Sequence, residues 1–294
     1  MSAVEFLLAG TLAAALPLLL AALGEMVVEK TGLLNLGLEG MMALGAAIAF
    51  ICVYHTGSHG IGFLAAAIAA AALAMLFAGL VIVVRANEVA AGLAIGVLGL
   101  GLSALFGKTY ESLTIAGLPK LGLPGLSHIP VLGQSLFTQD IVVWLTIIGT
   151  LALWYVLNRS KLGLIITAVG ENAEAARAIG YPVMAIRCAA VAFGGAMCGL
   201  AGAYASTVYT PLWADGMIAG RGWIALALVV FGTWQTGRVA FGALLFGVLS
   251  LGELTVQAIG VAIPSQALSS LPYVVTILML VVISRHRRRT SKNF

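Results

Sequence analysis

Few side chains in this chain can do chemistry. It is 61% hydrophobic and 9% charged over 294 residues, so each polar group inside an apolar run stands out. Asn35, Glu39, Asn87, Glu88, Arg221, Trp223 and Glu253 are the residues of interest. Hydrocarbon tolerates such groups only when they are paired or face a wet cavity, so they are candidates for lining a solute path. The carboxamides of Asn35 and Asn87 and the ring of Trp223 would offer amide hydrogen bonds and an aromatic plate to a neutral heterocycle or a sugar. The run Gly32–Gly40, with Asn35 between glycines, reads as a broken helix that could line a cavity. Each residue also has a plainer reading. Glu25, Glu29 and Glu88 would serve as cytoplasmic interface residues, and Arg221 would pair with Asp215 or Glu253.

Other chemistries lack their parts. His55, His59, His128 and His286 fall in loops or in the tail, and no nucleophile–base pair is suggested, so a non-catalytic chain is expected. Cys52, Cys188 and Cys198 stand in apolar runs without metal-ligand spacing and read as buried structural thiols. The segment Gly101–Thr109 mimics a phosphate loop, but five residues separate its glycines where four are required, and no strand precedes it. No cofactor is therefore expected in this chain, and any energy source must be a partner or an ion gradient. The net charge of +4 is no nucleic-acid footprint, because the cations lie in loops and at the C-terminus.

The elements that must position these residues are membrane spans. A mean hydropathy of +1.09 and 36 glycines place the chain among polytopic all-α membrane proteins, with a single membrane domain, 1–294. Apolar runs predict spans at Val4–Leu23, Leu38–Tyr54, Ile61–Val84, Val89–Phe106, Asp140–Leu157, Val183–Val208, Met217–Thr233, Val239–Val256 and Leu271–Ser284, about nine in all. The Gly24–Gly40 stretch between the first two is polar, with the alternative that it is partly embedded. Gly107–Gln139, with Pro119, Pro124 and Pro130, reads as an extramembrane loop. Glycine pairs four apart, Gly92/Gly96, Gly195/Gly199 and Gly216/Gly220, would bare backbone for close helix crossing, within this subunit or against a second one.

The longest stretch that combines charge with helical character is Asn158–Pro182, read as a loop containing one short helix. Asn172 suits an N-cap, Glu174 the positive end, and Gly180 followed by Pro182 a stop. Glu174 and Arg177 share a face, with Ala175, Ala176 and Ile179 as a small apolar face beside them. So little apolar surface cannot sustain a free helix, so it must dock. The cluster Arg285–Arg289, in a basic tail 285–294, falls on one side with Arg238, Arg85, Arg159, Lys161 and Arg177, while Lys108 and Lys120 fall on the other. Cation bias then makes 158–182 and the C-terminus cytoplasmic.

Glu174-Ala175-Ala176-Arg177-Ala178-Ile179-Gly180 resembles the Glu-Ala-Ala-x3-Gly signature of ABC importer permeases, without its downstream Ile-x-Leu-Pro portion. Gly24-Glu25 with Glu29-Lys30-Thr31-Gly32 through Asn35, Glu39-Gly40-Met41-Met42 is similar to the branch that imports nucleosides and simple sugars, related to ribose-type and branched-chain amino acid permeases. So are Arg85–Val89, Val169-Gly170-Glu171-Asn172, Gly199–Tyr204 and Gly220–Ala227. The resemblance implies a cytoplasmic coupling helix, with Glu171, Asn172, Glu174, Ala175, Ala176, Arg177 and Gly180 facing an ATPase subunit that binds ATP and Mg. It further implies a second homologous permease forming a heterodimer, an extracytoplasmic solute-binding (lipo)protein and a place in the lipid of a bacterial cytoplasmic membrane. The alternative is a secondary transporter or channel in which intramembrane carboxylates bind a proton or sodium ion.

Overall fold

The computed structural model describes residues 3–120, 138–258 and 274. Ten α-helices account for nearly all of it: α1 Ala3–Lys30, α2 Leu38–Thr56, α3 His59–Ala78, α4 Glu88–Gly107, α5 Ile141–Arg159, α6 Lys161–Glu171, α7 Ala173–Ala178, α8 Val183–Tyr204, α9 Arg221–Phe231 and α10 Thr236–Ala258. Two of them run on as π-helical turns, α3 through Gly79–Val83 and α8 through Ala205–Tyr209. No strand occurs among the described residues, only an isolated bridge between Thr114 and Leu212.

Six helices among the described residues have the length and apolarity to cross a bilayer. They pack through small residues, as expected where lipid is as apolar as the side chains and only close van der Waals contact favours association. α2 lies at the centre, against α3, α4 and α8. A Cβ on Gly40 would fall on the backbone of Gly96, one on Gly45 on the backbone of Gly199, and one on Gly202 on the carbonyl of Met42. Met26, Met41, Met42, Phe50, Phe77 and Leu23 fill the space left around these crossings.

The glycine pairs resolve by position. Gly92 and Gly96 pack on Leu36 and Gly37, and Gly195 and Gly199 on Ala66, Ala70 and Ala74, so both serve crossings inside this subunit. Gly216 and Gly220 form no helical face. Both lie in a turn at positive φ, +73° and +80°, where only glycine is unstrained.

Two expectations are corrected, and the open reading of Gly24–Gly40 takes a definite form. The polar stretch after the first span is largely helical: α1 continues unbroken to Lys30, and only 31–37 are unwound before α2. The loop 158–182 contains a second helix, α6, ahead of the expected one. Met217–Thr233 is no full span, because its helix is the 11-residue α9, about 16 Å long against the roughly 30 Å of hydrocarbon. The expected span Leu271–Ser284 and the basic tail 285–294 lie outside the described residues.

Candidate functional site

The unwound segment 31–37 sits among helices, where water cannot satisfy its backbone, so side chains do so. The Glu25 carboxylate accepts the N–H of Asn35 at 2.9 Å, and Glu88 accepts that of Leu34 at 2.9 Å. The Asn35 side-chain oxygen accepts from Gly37 N at 2.9 Å, and its amide donates to the Met41 sulfur at 3.5 Å. The Arg187 Nε donates to the Thr31 carbonyl at 3.1 Å, placing a cation at the negative end of α1. Asn35 and Glu25 are both buried, so the amide foreseen as a solute contact is engaged in holding the break.

The break starts α2 deep inside the bundle. Gly40 meets Gly96 and Gly99, which lie about 12–17 Å along α4, near the middle of a span. There α2 meets the start of α9, the half-length helix. The Glu39 Oε1 accepts the N–H of Gly220 at 2.9 Å, one of the free donors of the α9 first turn. A Cβ on Gly222 would lie 2.5 Å from the Glu39 Cα and N, so the two backbones touch. The second oxygen of Glu39, Oε2, is buried without a hydrogen-bond partner. The Arg221 guanidinium lies over the Tyr209 ring, 5.5 Å from its centroid, and Trp223 is 44% exposed beside the contact. A small crevice among Leu36, Leu38, Glu39, Gly222, Trp223 and Leu226 marks the junction.

Of the foreseen path residues, the fold thus brings Glu39, Arg221 and Trp223 together. Asn87 is elsewhere: it caps α4, its side chain accepting from Ala90 N at 3.0 Å, at the end of the bundle where Glu88 meets Leu34. The side chain of Glu253 lies outside the described residues. Gly220 and Gly222 join the site from outside the foreseen set, although a glycine on each side of a lone arginine is a signal for close backbone approach. Arg187, a lone cation inside an apolar run, joins them.

A second feature lies at the end of the bundle that holds Lys30, Glu88, Arg187 and the 232–235 turn. Gly170 of α6 packs on the Lys30 carbonyl, and Trp234 Nε1 donates to Glu29 there. α7 follows α6 directly. The Asn172 side chain accepts from Glu174 N and Ala175 N at 3.1 and 2.9 Å, as expected of an N-cap. At the other end Gly180, with φ +94°, donates to the Arg177 carbonyl and Tyr181 N donates to that of Ala176, both at 3.0 Å, a Schellman closure. The apolar face foreseen on this helix is split. Ala176 is 2% exposed and packs with Val169 and Val183, whereas Ile179 is 72% exposed. Glu171, Asn172, Glu174, Ala175, Arg177 and Gly180 all face outward.

A cavity of about 820 Å³ lies elsewhere, between α5 and the α1–α8 face. Its lining is almost wholly apolar. Thr146 and Thr150 donate their hydroxyls to carbonyls of their own helix, so neither hydroxyl hydrogen along α5 is free for a polar solute.

Apolar spans interrupted by an unwound turn and a half-length helix, with carboxylates holding the interruptions, are the build of a membrane solute permease. The chain belongs to the family described as the permease component of branched-chain amino acid transport systems, which it matches over residues 7–284, and it is an ABC transporter permease. It is 41% identical, over 91% of this chain and 82% of the other, to TsgC13 of Haloferax volcanii, named as an ABC transporter permease for glucose. It is 32% identical over 94% and 91% to the nucleoside ABC transporter permease NupC of Lactococcus lactis, and 34% identical over 92% and 89% to the guanosine ABC transporter permease NupQ of Bacillus subtilis. A second permease named for the same solute also matches from two of these organisms, TsgB13 for glucose and NupP for guanosine. No solved structure matches the chain.

Proposed function

We propose that this permease forms half of an import path for a nucleoside, a purine or a simple sugar, driven by an ATPase that docks on α6 and α7. The observation that carries the reading is α7 itself: a helix of six residues closed at both ends, anchored by Ala176 with the half-buried Ala173 and presenting every other foreseen coupling residue outward. A gradient-driven carrier has no use for such a projection. Movement of α7 would pass through Val183 into α8, and through Gly170 into the end of α1. Arg187 joins these two helices, so force applied at α7 reaches the unwound 31–37 turn. The solute path would open where Glu39 holds Gly220, by withdrawal of α9 from α2. Its polar groups suit hydroxyl-rich or heterocyclic solutes, and the relatives named for glucose and guanosine bracket that class.

The remaining partners follow the same reading. The paired relatives support a second, homologous permease beside this one in a heterodimer. An extracytoplasmic binding protein would deliver solute on the side of Lys108 and Lys120, with α7 and the C-terminus in the cytoplasm and ATP and Mg on the ATPase. Co-expression with an ATPase subunit tests the docking. Replacing Glu174 with Lys and Gly180 with Trp should abolish both ATPase co-purification and uptake of labelled nucleoside or glucose. Survival of both after the two changes overturns the reading. Competition of uptake by guanosine, adenine, ribose and glucose then assigns the solute.

A further inference from the structure

The 820 Å³ groove beside α5 has no part in the solute path, yet it is built into the fold. α5 is fastened at one end and at the other, and stands off between. At one end Tyr204 donates its hydroxyl to Asp140 at 2.9 Å, while Val143 packs on Leu16 and Tyr204. At the other the chain turns straight into α6 at Ser160. In the middle, Gly149 lines the groove and a Cβ there would meet nothing within 4 Å. The opposite wall is Leu20 and Leu23 of α1 with Ala189 and Phe193 of α8.

The two ends of the groove differ, and the difference selects the occupant. At the α6 end, Leu162, Ile165 and Ile166 cross beneath it as a floor. A membrane-spanning helix of roughly 20 residues could not pass that floor, whereas a hydrocarbon chain that ends inside the bilayer need not. At the opposite end lies His59, whose Nε2 is buried without a hydrogen-bond partner among the described residues. An apolar space of this size within a bilayer does not hold water, since water there would lack the two to four polar partners it needs. The groove follows α5 from 141 to 157, about 24 Å, deeper than half of the roughly 30 Å hydrocarbon core.

We infer that the groove is a site for one glycerophospholipid, its acyl chain lying along α5 and its phosphate or ester oxygens meeting His59. The lipid belongs to the leaflet on the His59 side. It fills the space that α5 leaves and holds that helix at a fixed distance from α8.

The test places a photoreactive benzoylphenylalanine at Gly149 in the full-length chain, with the same probe at Ile148, which is 60% exposed, as reference. Both proteins are extracted from membranes, washed extensively in detergent, irradiated and weighed intact. A phospholipid-mass adduct that persists at 149 and is washed away at 148 is the expected result. Equal adducts at both positions, none at either, or a crosslink from 149 to a second polypeptide or to residues 259–294 overturns the inference. H59L removes the head-group partner without enlarging the groove, and should lower phospholipid retained by the washed, monodisperse protein about tenfold, as loss of a hydrogen bond to a charged group does. Unchanged retention in H59L overturns the assignment of the head group to His59.

Discussion

Glu25 and Glu88 are acidic residues whose work is done by oxygen atoms accepting backbone N–H groups, at Asn35 and Leu34. This predicts an asymmetry between substitutions at Glu25. Glu25→Gln keeps an acceptor and should stay close to the parent in thermal midpoint in detergent. Glu25→Leu strands the Asn35 N–H and should cost about 1–3 kcal/mol. Equal losses in the two variants would show that the carboxylate matters for something other than that bond. Glycines at the junction allow a similar contrast. Gly222→Ala puts a methyl 2.5 Å from the Glu39 backbone and should cost about 1–3 kcal/mol and reduce uptake, while Gly101→Ala, where a Cβ meets nothing within 4 Å, should leave both unchanged.

Among the elements, α7 and α9 are each too short to stand alone, and each is fixed by its ends. For α7 the exit is Gly180 at φ +94°. Gly180→Ala strains that position by about 1–2 kcal/mol without touching a neighbour, since a Cβ there has open space. The expected outcome is weaker ATPase association at an unchanged unfolding midpoint of the bundle, read by co-purification and by thermal denaturation. For α9 the start is the positive-φ Gly220 seated on Glu39, and the exit is the Thr233–Trp234 turn, whose φ values of 49° and 55° are rare for such residues. Trp234 is held there by Glu29 and Thr233 by Arg238. A half-helix pinned at both ends by side chains of other turns is suited to move as a unit.

At the scale of the molecule, the contacts place Lys30, Glu88, Gly170, Arg187 and Trp234 together at one end of the bundle and His55 with Tyr110 at the other. Orientation in the membrane is then one experiment. With the native cysteines replaced, Arg177→Cys should react with a membrane-impermeant maleimide only from the cytoplasm, and Lys108→Cys only from outside; both side chains are exposed. Reversal of the two patterns would invert the topology on which the proposed coupling rests.

The sequence alone determined where most helices lie, because runs free of charge over about 20 residues are a sufficient signal for a span. It also marked both ends of α7, since capping depends on residue types a few positions apart: Asn172, Gly180 and Pro182. It separated Glu39, Arg221 and Trp223 from the apolar background, because polar groups are rare there. Only the tertiary structure decided what those residues touch. Whether Asn35 faces solute or its own backbone depends on a carboxylate ten residues earlier and a break in hydrogen bonding that no local pattern encodes. Met217–Thr233 is apolar enough to be a span, yet its helix begins only at Arg221, just after Gly220, whose free N–H is accepted by Glu39, 181 positions earlier in the chain. The α5 groove was equally illegible, for an apolar helix that stands off its neighbours reads in sequence like one that packs against them.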